Sequence, residues 1–412
     1  MSVPALRFKE FSGDWEATIF DEILEITRLA GYEYSTYWRE DEKKEIIALR
    51  GYNVGKGKLD LIKLGYISNE LSLQLKRSKL FKGDIVYPCV GTIGNAVVIE
   101  ENDKYHIQQN IAKLTPKENI SPYFIAQFLM SDRGVNEVYR FNATSSQPNI
   151  LVGSLRNFRI LIPSLPEQTK IANFLTAVDE KITLLTQKAS LLSQYKKGVM
   201  QQIFSQELRF KDDDGQDFPE WSISSLEQVS INYYQGINTA ADKTEYIDGG
   251  VPIIQAKHIT SEYLDFSDAR GLNQLDYEKY KEKYNPKIND LLISNIGTLG
   301  KIVLVESKIK FLIAWNIFKV TLDSQKCYPR YIREYLKNIA SNGYFDSIKT
   351  GNATKFINKT DMLAIEIILP SLPEQTKIAN FLTAVDEKIT TNQKQLDAVK
   401  QYKQGLLQQM FA

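Results

Sequence analysis

The stretch PSLPEQTKIANFLTAVDEKIT occupies residues 163–183, and the same 21 letters return at residues 370–390. The second copy follows the first by 207 positions, close to half of the 412-residue chain. The likeness continues more loosely, since YKKGVMQQIF at 195–204 corresponds to YKQGLLQQMF at 402–411. An internal repeat of this length indicates a chain built from two copies of one structural plan.

The segments that precede the two copies also correspond, though more weakly. GDIVYPCVGTIGNAVVIE at 83–100 is similar to NDLLISNIGTLGKIVLVE at 289–306, LRFK opens both halves, and Trp15 aligns with Trp221. The order is therefore globule, helix, globule, helix, with nearly identical helices and diverged globules. This contrast favours a frame that carries two different recognition modules, although plain duplication of one structural unit gives the same order.

Each identical segment begins with the sequence of a helix start. Ser164 precedes Glu167 by three residues, and Ser371 precedes Glu374 likewise, which is the spacing of a capping box. Apolar residues then alternate at four and three positions from Ile171 onwards, and again in the second copy. This spacing is typical of a coiled coil. Two ordinary amphipathic helices, each packed on its own globule, are the alternative.

The globules mix short strands with helices. The segments around GTIG and GTLG predict strand, glycine turn, strand. The segments SPYFIAQFLMSDRG and YPRYIREYLKNIASNG predict helices that end near Gly134 and Gly343. The sequence therefore predicts two α+β globules of about 160 residues each.

Polar and aromatic residues cluster in the predicted loops of both globules. Asn, Gln, Lys and Arg are the side chains that pair with base edges and phosphates. The candidates for DNA contact in the first globule are Lys56, Lys58, Lys76, Arg77, Thr92, Asn142, Ser145, Gln147 and Asn149. Those in the second are Tyr234, Gln235, Asn238, Lys257, His258, Thr298, Asn352, Lys355 and Asn358. Solvated loops with no such role are the alternative.

Several classes of function lack their motifs. The chain has no GxxxxGK[ST] phosphate loop, no GxGxxG after a strand and no GxSxG. Two histidines and two cysteines without ligand spacing predict neither a metal site nor a catalytic triad. The net charge of +1 requires any positive surface for DNA to be local. The start MSVPALRFKEF lacks the apolar run of a signal peptide, so we expect a cytoplasmic binding protein.

At this point the pattern resembles the specificity (S) subunits of Type I restriction–modification systems. The resemblance covers the whole chain and rests on the repeated PSLPEQTKIANFL helix and the GTIG and GTLG turns. It implies an α+β fold with two α/β target-recognition domains, each followed by a long helix. The two helices would pack as an antiparallel coiled coil with an internal pseudo-two-fold repeat. The implied boundaries are recognition domains at 1–162 and 207–369, and spacer helices at 163–206 and 370–412.

The resemblance also implies a function without chemistry in this chain. Each recognition domain would recognise one half of a split, asymmetric double-stranded DNA target, and the helices would set the distance between the halves. Two methyltransferase subunits and restriction/translocase subunits would assemble on the chain. S-adenosylmethionine, ATP and magnesium are expected on those partners, with no cofactor, catalytic residue or metal here. A protein scaffold without a DNA role and an enzyme with an unrecognised site are the alternatives.

Identical polar residues in the two helices suggest where partners bind. A coiled coil requires only its apolar seam, so retained surface residues indicate a surface bound by two copies of one partner. The candidates are Gln168, Asn173, Asp179, Gln375, Asn380 and Asp386. Recent gene conversion would produce the same identity without a partner.

Overall fold

The computed structural model describes residues 4–141, 149–242, 244–260, 263–350 and 355–411. The chain divides into two compact units: unit 1 is Met1–Lys188 with Asn392–Ala412, and unit 2 is Ala189–Thr391. Each unit therefore contains one globule and one part of each repeated helix. Among the helices in the described residues, none is long and apolar enough to cross a membrane.

The described part of unit 1 forms three small sheets with helices packed beside them. Its elements are β1 (Glu16–Ile19), α1 (Phe20–Ile23), β2 (Leu24–Arg28), α2 (Gly31–Tyr37), β3 (Ile46–Leu49), β4 (Gly65–Ile67), α3 (Asn69–Gln74), β5 (Ile85–Pro88), β6 (Val97–Val98), β7 (Tyr105–Ile107), β8 (Ile111–Pro116), α4 (Pro122–Met130), α5 (Asp132–Phe141), α6 (Val152–Arg156), β9 (Arg159–Ile162) and the first part of α7 (Leu165–Phe204). The strand orders are β2-β8-β5-β6, β4-β3-β7 and β1-β9. The first sheet is antiparallel, and in the second β3 pairs parallel with β7.

Unit 2 repeats this plan with different details. Its elements after α7 are β10 (Ser222–Ser225), β11 (Ser230–Gln235), β12 (Tyr246–Ile247), β13 (Val251–Ile254), β14 (Gly271–Leu272), α8 (Gln274–Tyr284), β15 (Asp290–Ser294), β16 (Ile302–Leu304), β17 (Leu312–Ile313), β18 (Ile317–Leu322), α9 (Pro329–Ser341), α10 (Tyr344–Ser347), α11 (Lys359–Leu363), β19 (Glu366–Leu369) and the first part of α12 (Leu372–Met410). The strand orders are β11-β18-β15-β16, β12-β14-β13-β17 and β10-β19. The predicted strand–turn–strand segments are confirmed as the antiparallel pairs β5–β6 and β15–β16.

The long helices form an antiparallel pair within each unit. Helix α7 has 40 residues and α12 has 39, which is about 60 Å each at 1.5 Å per residue. In unit 1 Asp179 of α7 pairs with Lys403 of α12. In unit 2 Lys196 of α7 pairs with Asp386 of α12. The N-terminal half of each helix therefore packs against the C-terminal half of the other, which confirms the predicted antiparallel coiled coil.

The predicted apolar seam is buried along much of its length. Ile171, Leu175 and Leu185 of α7, with Leu396 and Leu406 of α12, are at most 5% exposed. Ile171, Leu175 and Leu406 join the core of unit 1, so the helices stabilise that globule as well as each other.

Asn392 is a polar residue of the seam. Asn392 lies 207 positions after Leu185 and is buried beside it. Its Nδ2 donates to the carbonyl oxygen of Leu185 at 2.9 Å. A buried amide in an apolar seam favours the one helix register in which its hydrogen bond can form.

The predicted capping box is wrong for the second helix. The Ser371 hydroxyl is buried without a hydrogen-bond partner among the described residues. The Glu374 carboxylate instead accepts from Arg209 at 3.0 Å and from the Trp221 indole at 2.9 Å. The glutamate therefore anchors the start of the globule to the helix rather than capping the helix.

Unit 1 has the same anchor. The Glu167 carboxylate accepts two hydrogen bonds of 2.7 Å from Arg7 and one of 3.3 Å from the Trp15 indole. This contact explains why an LRFK sequence and a matching tryptophan open both halves of the chain.

The prediction that a helix ends near Gly134 is wrong, because this glycine lies inside α5. Helix α4 ends earlier, at Met130. A Cβ on Gly134 would lie 2.3 Å from the carbonyl oxygen of Phe128, so the glycine allows α5 to approach the end of α4. The prediction at Gly343 is confirmed, since this residue follows α9 with a φ of 82°.

Candidate nucleic-acid interface

The GTIG turn of unit 1 follows the end of β5. Gly91 and Gly94 have φ angles of 84° and 74°, which glycine adopts without strain. Thr92 between them is exposed. Val90, just before the turn, forms a β-bridge with Asn149, which is also exposed. The structure thus brings together two predicted DNA contacts, Thr92 and Asn149, that are far apart in the sequence.

Two lysines lie beside this turn. The backbone N–H of Gly57 donates to the carbonyl oxygen of Ala96, which follows the turn, at 3.0 Å. Lys56 and Lys58 flank this glycine and are exposed. We define the unit 1 loop cluster as Lys56, Lys58, Thr92 and Asn149.

Unit 2 builds a similar cluster on its GTLG turn. The backbone N–H of Gly297 donates to the carbonyl oxygen of Lys355 at 3.0 Å. Thr298 and Lys355 are exposed. Lys257 is also exposed, in a 3-10 turn at 256–258, and its ammonium pairs with Asp268. We define the unit 2 loop cluster as Thr298 and Lys355, with Lys257 as a separate exposed lysine.

His258 is wrong as a predicted DNA contact, because its side chain is buried. The residue is 2% exposed, and its Nδ1 accepts from the backbone N–H of Gln255 at 2.8 Å. Burial lowers the pKa of the imidazole below its ordinary value, against the opposing charge of Asp268. Asn53 makes the same contact in unit 1, where its Oδ1 accepts from the Arg50 N–H at 2.9 Å. His258 therefore caps a turn and lies out of reach of a base.

Other candidates hold local structure. The ring of Tyr234 lies 5.3 Å from the Lys319 ammonium, and Asn238 accepts a hydrogen bond within its own turn. Asn358 caps α11 through its side-chain oxygen. Gln235 is half-buried, and its Nε2 donates to the carbonyl oxygen of Trp315 at 2.9 Å.

The remaining candidates fall in two places. Lys76 and Arg77 are exposed in a 3-10 turn at 76–78, which contacts β2. They lie on a segment other than those that form the unit 1 loop cluster. Four candidates lie outside the described residues: Asn142, Ser145, Gln147 and Asn352.

Two of the predicted partner contacts are buried, so their assignment to the surface is wrong. Gln168 is 1% exposed, accepts from the Ser121 N–H at 2.9 Å and donates to the Pro163 carbonyl oxygen. Gln375 is fully buried and accepts from the Tyr328 N–H at 2.7 Å. Both amides tie the helix start to the globule, which explains their identity without a partner.

Two further partner candidates form ion pairs inside their own units. Asp179 accepts from Lys403 at 2.6 and 2.8 Å, and Asp386 accepts from Lys196 at 2.7 Å through each oxygen. A charge reversal at either aspartate would break the helix pair itself. The two candidates that stay exposed are Asn173 and Asn380.

Sequence reasoning missed Arg28. This half-buried residue ends β2, and its Nη2 donates to Asn110 Oδ1 at 2.6 Å. A signal was present, because Arg28 lies 207 positions before Gln235, the offset of the repeat.

The two cysteines are buried free thiols. Burial raises the pKa of Cys89 to about 11 and that of Cys327 to about 12, so both stay protonated near neutral pH. Within the described ranges, no three His, Cys, Asp or Glu side chains gather into a group that could hold a metal ion.

Comparison with known proteins identifies the family. The sequence profile described as "Type I restriction modification DNA specificity domain" matches residues 14–194 and again residues 219–401. The chain is 24% identical over 411 residues to the type I restriction enzyme MjaX specificity subunit of Methanocaldococcus jannaschii, covering 97% of this chain and 93% of that protein. It is 23% identical to the type I restriction enzyme StySPI specificity subunit of Salmonella potsdam, covering 92% and 83%.

Solved structures share the fold. The S subunit of a Type I restriction–modification system from M. genitalium superimposes with a TM-score of 0.61 at 16% identity, covering 100% of this chain and 99% of that one. The profile matches both halves of the sequence, and the two relatives match along most of their length. The chain therefore belongs to the family of Type I restriction–modification specificity subunits, the non-catalytic DNA-recognition subunits of these systems.

Proposed function

We propose that this chain recognises an asymmetric, bipartite double-stranded DNA target, with one half-site bound by each loop cluster. The observation that carries the proposal is a shared scaffold with unlike side chains. Each glycine turn stands beside a second segment that returns to it, at Asn149 in unit 1 and at Lys355 in unit 2. Unlike side chains on equivalent loops present different donors and acceptors, and these select different bases.

Local charge supports DNA binding despite the net charge of +1. Lys56 and Lys58 are exposed, and no described carboxylate lies within ion-pair distance of either. Phosphate contacts by lysine position a protein on the duplex without selecting sequence. The exposed threonines and Asn149 then approach the base edges.

Partner subunits complete the proposal. Two methyltransferase subunits and restriction/translocase subunits would bind this chain, with S-adenosylmethionine, ATP and magnesium held on those partners. The exposed Asn173 and Asn380 are the candidate contacts that support two equivalent docking sites. A cytoplasmic location fits such a complex.

The lysines provide the first test. We expect the complex with co-expressed methyltransferase to bind random duplex DNA with an affinity that falls as salt rises. Exchanging Lys56 and Lys58 together for Gln should weaken binding to all sequences and reduce the salt slope by about two, roughly one for each lost phosphate contact. Filter binding at a series of salt concentrations measures both quantities.

Lys82→Gln serves as the matched control, since this exposed lysine lies at the opposite end of β5 from the GTIG turn. It should leave affinity and salt slope close to those of the unmodified complex. A complex that binds no duplex DNA would favour a protein scaffold instead. Equal effects of the double exchange and the control would contradict the lysine assignment.

A further inference from the structure

Arg28 and Gln235 occupy the same position in the two units. Arg28 is the last residue of β2 and pairs with Ala112 of β8. Gln235 is the last residue of β11 and pairs with Phe318 of β18. The strands are equivalent edge strands of the two four-stranded sheets. Equivalent backbone positions therefore present an arginine in one unit and a glutamine in the other.

In unit 1 this position adjoins the loop cluster. Arg28 donates to the Asn110 side chain at 2.6 Å. The carbonyl oxygen of Asn110 accepts from the Cys89 N–H at 2.8 Å, and the carbonyl oxygen of Cys89 accepts from the Ile150 N–H at 2.7 Å. The arginine thus stands at the edge of a hydrogen-bonded strip that leads directly to Asn149 and the GTIG turn.

Unit 2 contains the same strip. Gln235 donates to the carbonyl oxygen of Trp315 at 2.9 Å. The Asn295 N–H donates to the Asn316 carbonyl oxygen at 3.2 Å, and the Ile357 N–H donates to the Asn295 carbonyl oxygen at 2.9 Å. The glutamine therefore borders the unit 2 loop cluster, next to a Trp315 side chain that is 46% exposed.

Both side chains keep hydrogen-bonding capacity. Among the described residues, no carboxylate lies within ion-pair distance of Arg28, and its bond to Asn110 uses one of five N–H donors. Gln235 uses one N–H and has no described donor to its Oε1. An arginine fork matches O6 and N7 of guanine, and a glutamine amide matches N6 and N7 of adenine.

We propose that Arg28 and Gln235 are equivalent base-recognition positions, with Arg28 selecting guanine in one half-site and Gln235 selecting adenine in the other. This inference rests on the proposed DNA recognition and names two of its specificity-determining residues. Two other roles are distinguishable from it. A phosphate contact changes affinity for all sequences alike, and a purely structural tie changes stability without changing the preferred base.

The test exchanges the two residue types. Complexes with co-expressed methyltransferase and Arg28→Gln or Gln235→Arg are used to methylate genomic DNA, and the motif is determined by single-molecule sequencing. Arg28→Gln should replace guanine by adenine at one position of one half-site. Gln235→Arg should replace adenine by guanine at one position of the other. The rest of each motif should stay as it is in the unmodified complex.

Matched controls and a conservative variant guard against loss of folding. Lys82→Gln removes one charge from the far end of β5, and Gln325→Arg adds one beyond the far end of β18. Neither should change the motif. Arg28→Lys keeps the charge and loses the fork, so its preference for guanine should fall about tenfold with unchanged methyltransferase content.

Three results overturn the inference. One is an unchanged motif in Arg28→Lys and in both exchanges. Another is uniformly weaker binding with the same motif, which would make Arg28 a phosphate contact. The third is a change in both half-sites from a single exchange. If the unmodified complex itself methylates without sequence preference, the proposed function fails instead, and the two failures are thereby separated.

Discussion

Replacing Lys196 by methionine should lower the stability of unit 2 by about 3–5 kcal/mol, the usual cost of removing one partner from a buried ion pair. The Lys196 ammonium lies 2.7 Å from both oxygens of Asp386 and 3.0 Å from Glu334. The Glu334 side chain is fully buried, and that of Lys196 is 14% exposed. Without the lysine, two carboxylates remain together in a region of low dielectric constant, where Arg333 still donates to Glu334 at 2.8 Å. Differential scanning calorimetry measures the loss.

Lys403→Met is the matched control in unit 1. Among the described carboxylates, Lys403 pairs with Asp179 alone, because Gln127 stands where unit 2 has Glu334 and donates to Asp179 at 2.9 Å. One carboxylate remains after the exchange, and it keeps a hydrogen-bond donor. We expect a loss of about 1–3 kcal/mol, smaller than that of Lys196→Met. Equal losses in the two variants would contradict this account of the ion pairs.

Lowering the pH should reduce the difference in stability between Lys196→Met and the unmodified chain. Burial raises the pKa of Glu334, but the charges of Lys196, Lys337 and Arg333 outweigh it and hold the pKa below its ordinary value of 4.5. In the unmodified chain this contribution is present above pH 4.5 and is lost as pH falls through the lower folded pKa. Without Lys196, burial has less opposition and the folded pKa rises. The variant should therefore recover stability relative to the unmodified chain as the pH falls towards 4.5.

The second large effect is expected at Glu374. Glu374→Gln should destabilise unit 2 by about 2–4 kcal/mol, since the buried carboxylate accepts from both Arg209 and Trp221. The NH2 group of the glutamine would direct an N–H donor at the N–H donor of Arg209 or Trp221. Urea unfolding followed by tryptophan fluorescence measures the loss, because the Trp221 indole makes the contact directly.

A double exchange tests whether the contact is the cause. Arg209→Met should remove most of the penalty that Glu374→Gln creates, so the two losses should not add. Glu167→Gln should have a similar effect in unit 1, where Arg7 and Trp15 make the equivalent contacts. Fully additive losses would show that the glutamate stabilises the helix start by another route.

The helices were predictable because their signals are local and periodic. The exact repeat and the seam that starts at Ile171 predicted two long helices, which the structure shows as α7 and α12. The anchors were not, because Arg7 and Glu167 are 160 residues apart and no local pattern pairs them. The polarity of Gln168 and Gln375 suggested a surface, whereas the structure uses both amides to satisfy buried backbone groups.

The candidate interface was predicted in part. Exposed loop residues such as Thr92 and Thr298 follow from the glycine turns. The sequence did not reveal that Asn53 and His258 are equivalent. An amide caps the turn in one unit and an imidazole caps it in the other, so the residue types differ. The equivalence of Arg28 with Gln235 was indicated in the sequence only by the 207-residue offset of the repeat. Strand register reveals such pairs, while residue identity conceals them.

Single-molecule sequencing of genomic DNA from cells with and without this gene tests the central claim most directly. Two units with a shared scaffold and unlike loop clusters should give a methylated motif of two unlike half-sites around a non-specific spacer of fixed length. That methylation should disappear when the gene is removed. A palindromic motif, or methylation that persists without the gene, would contradict the claim that each unit recognises its own half of the target.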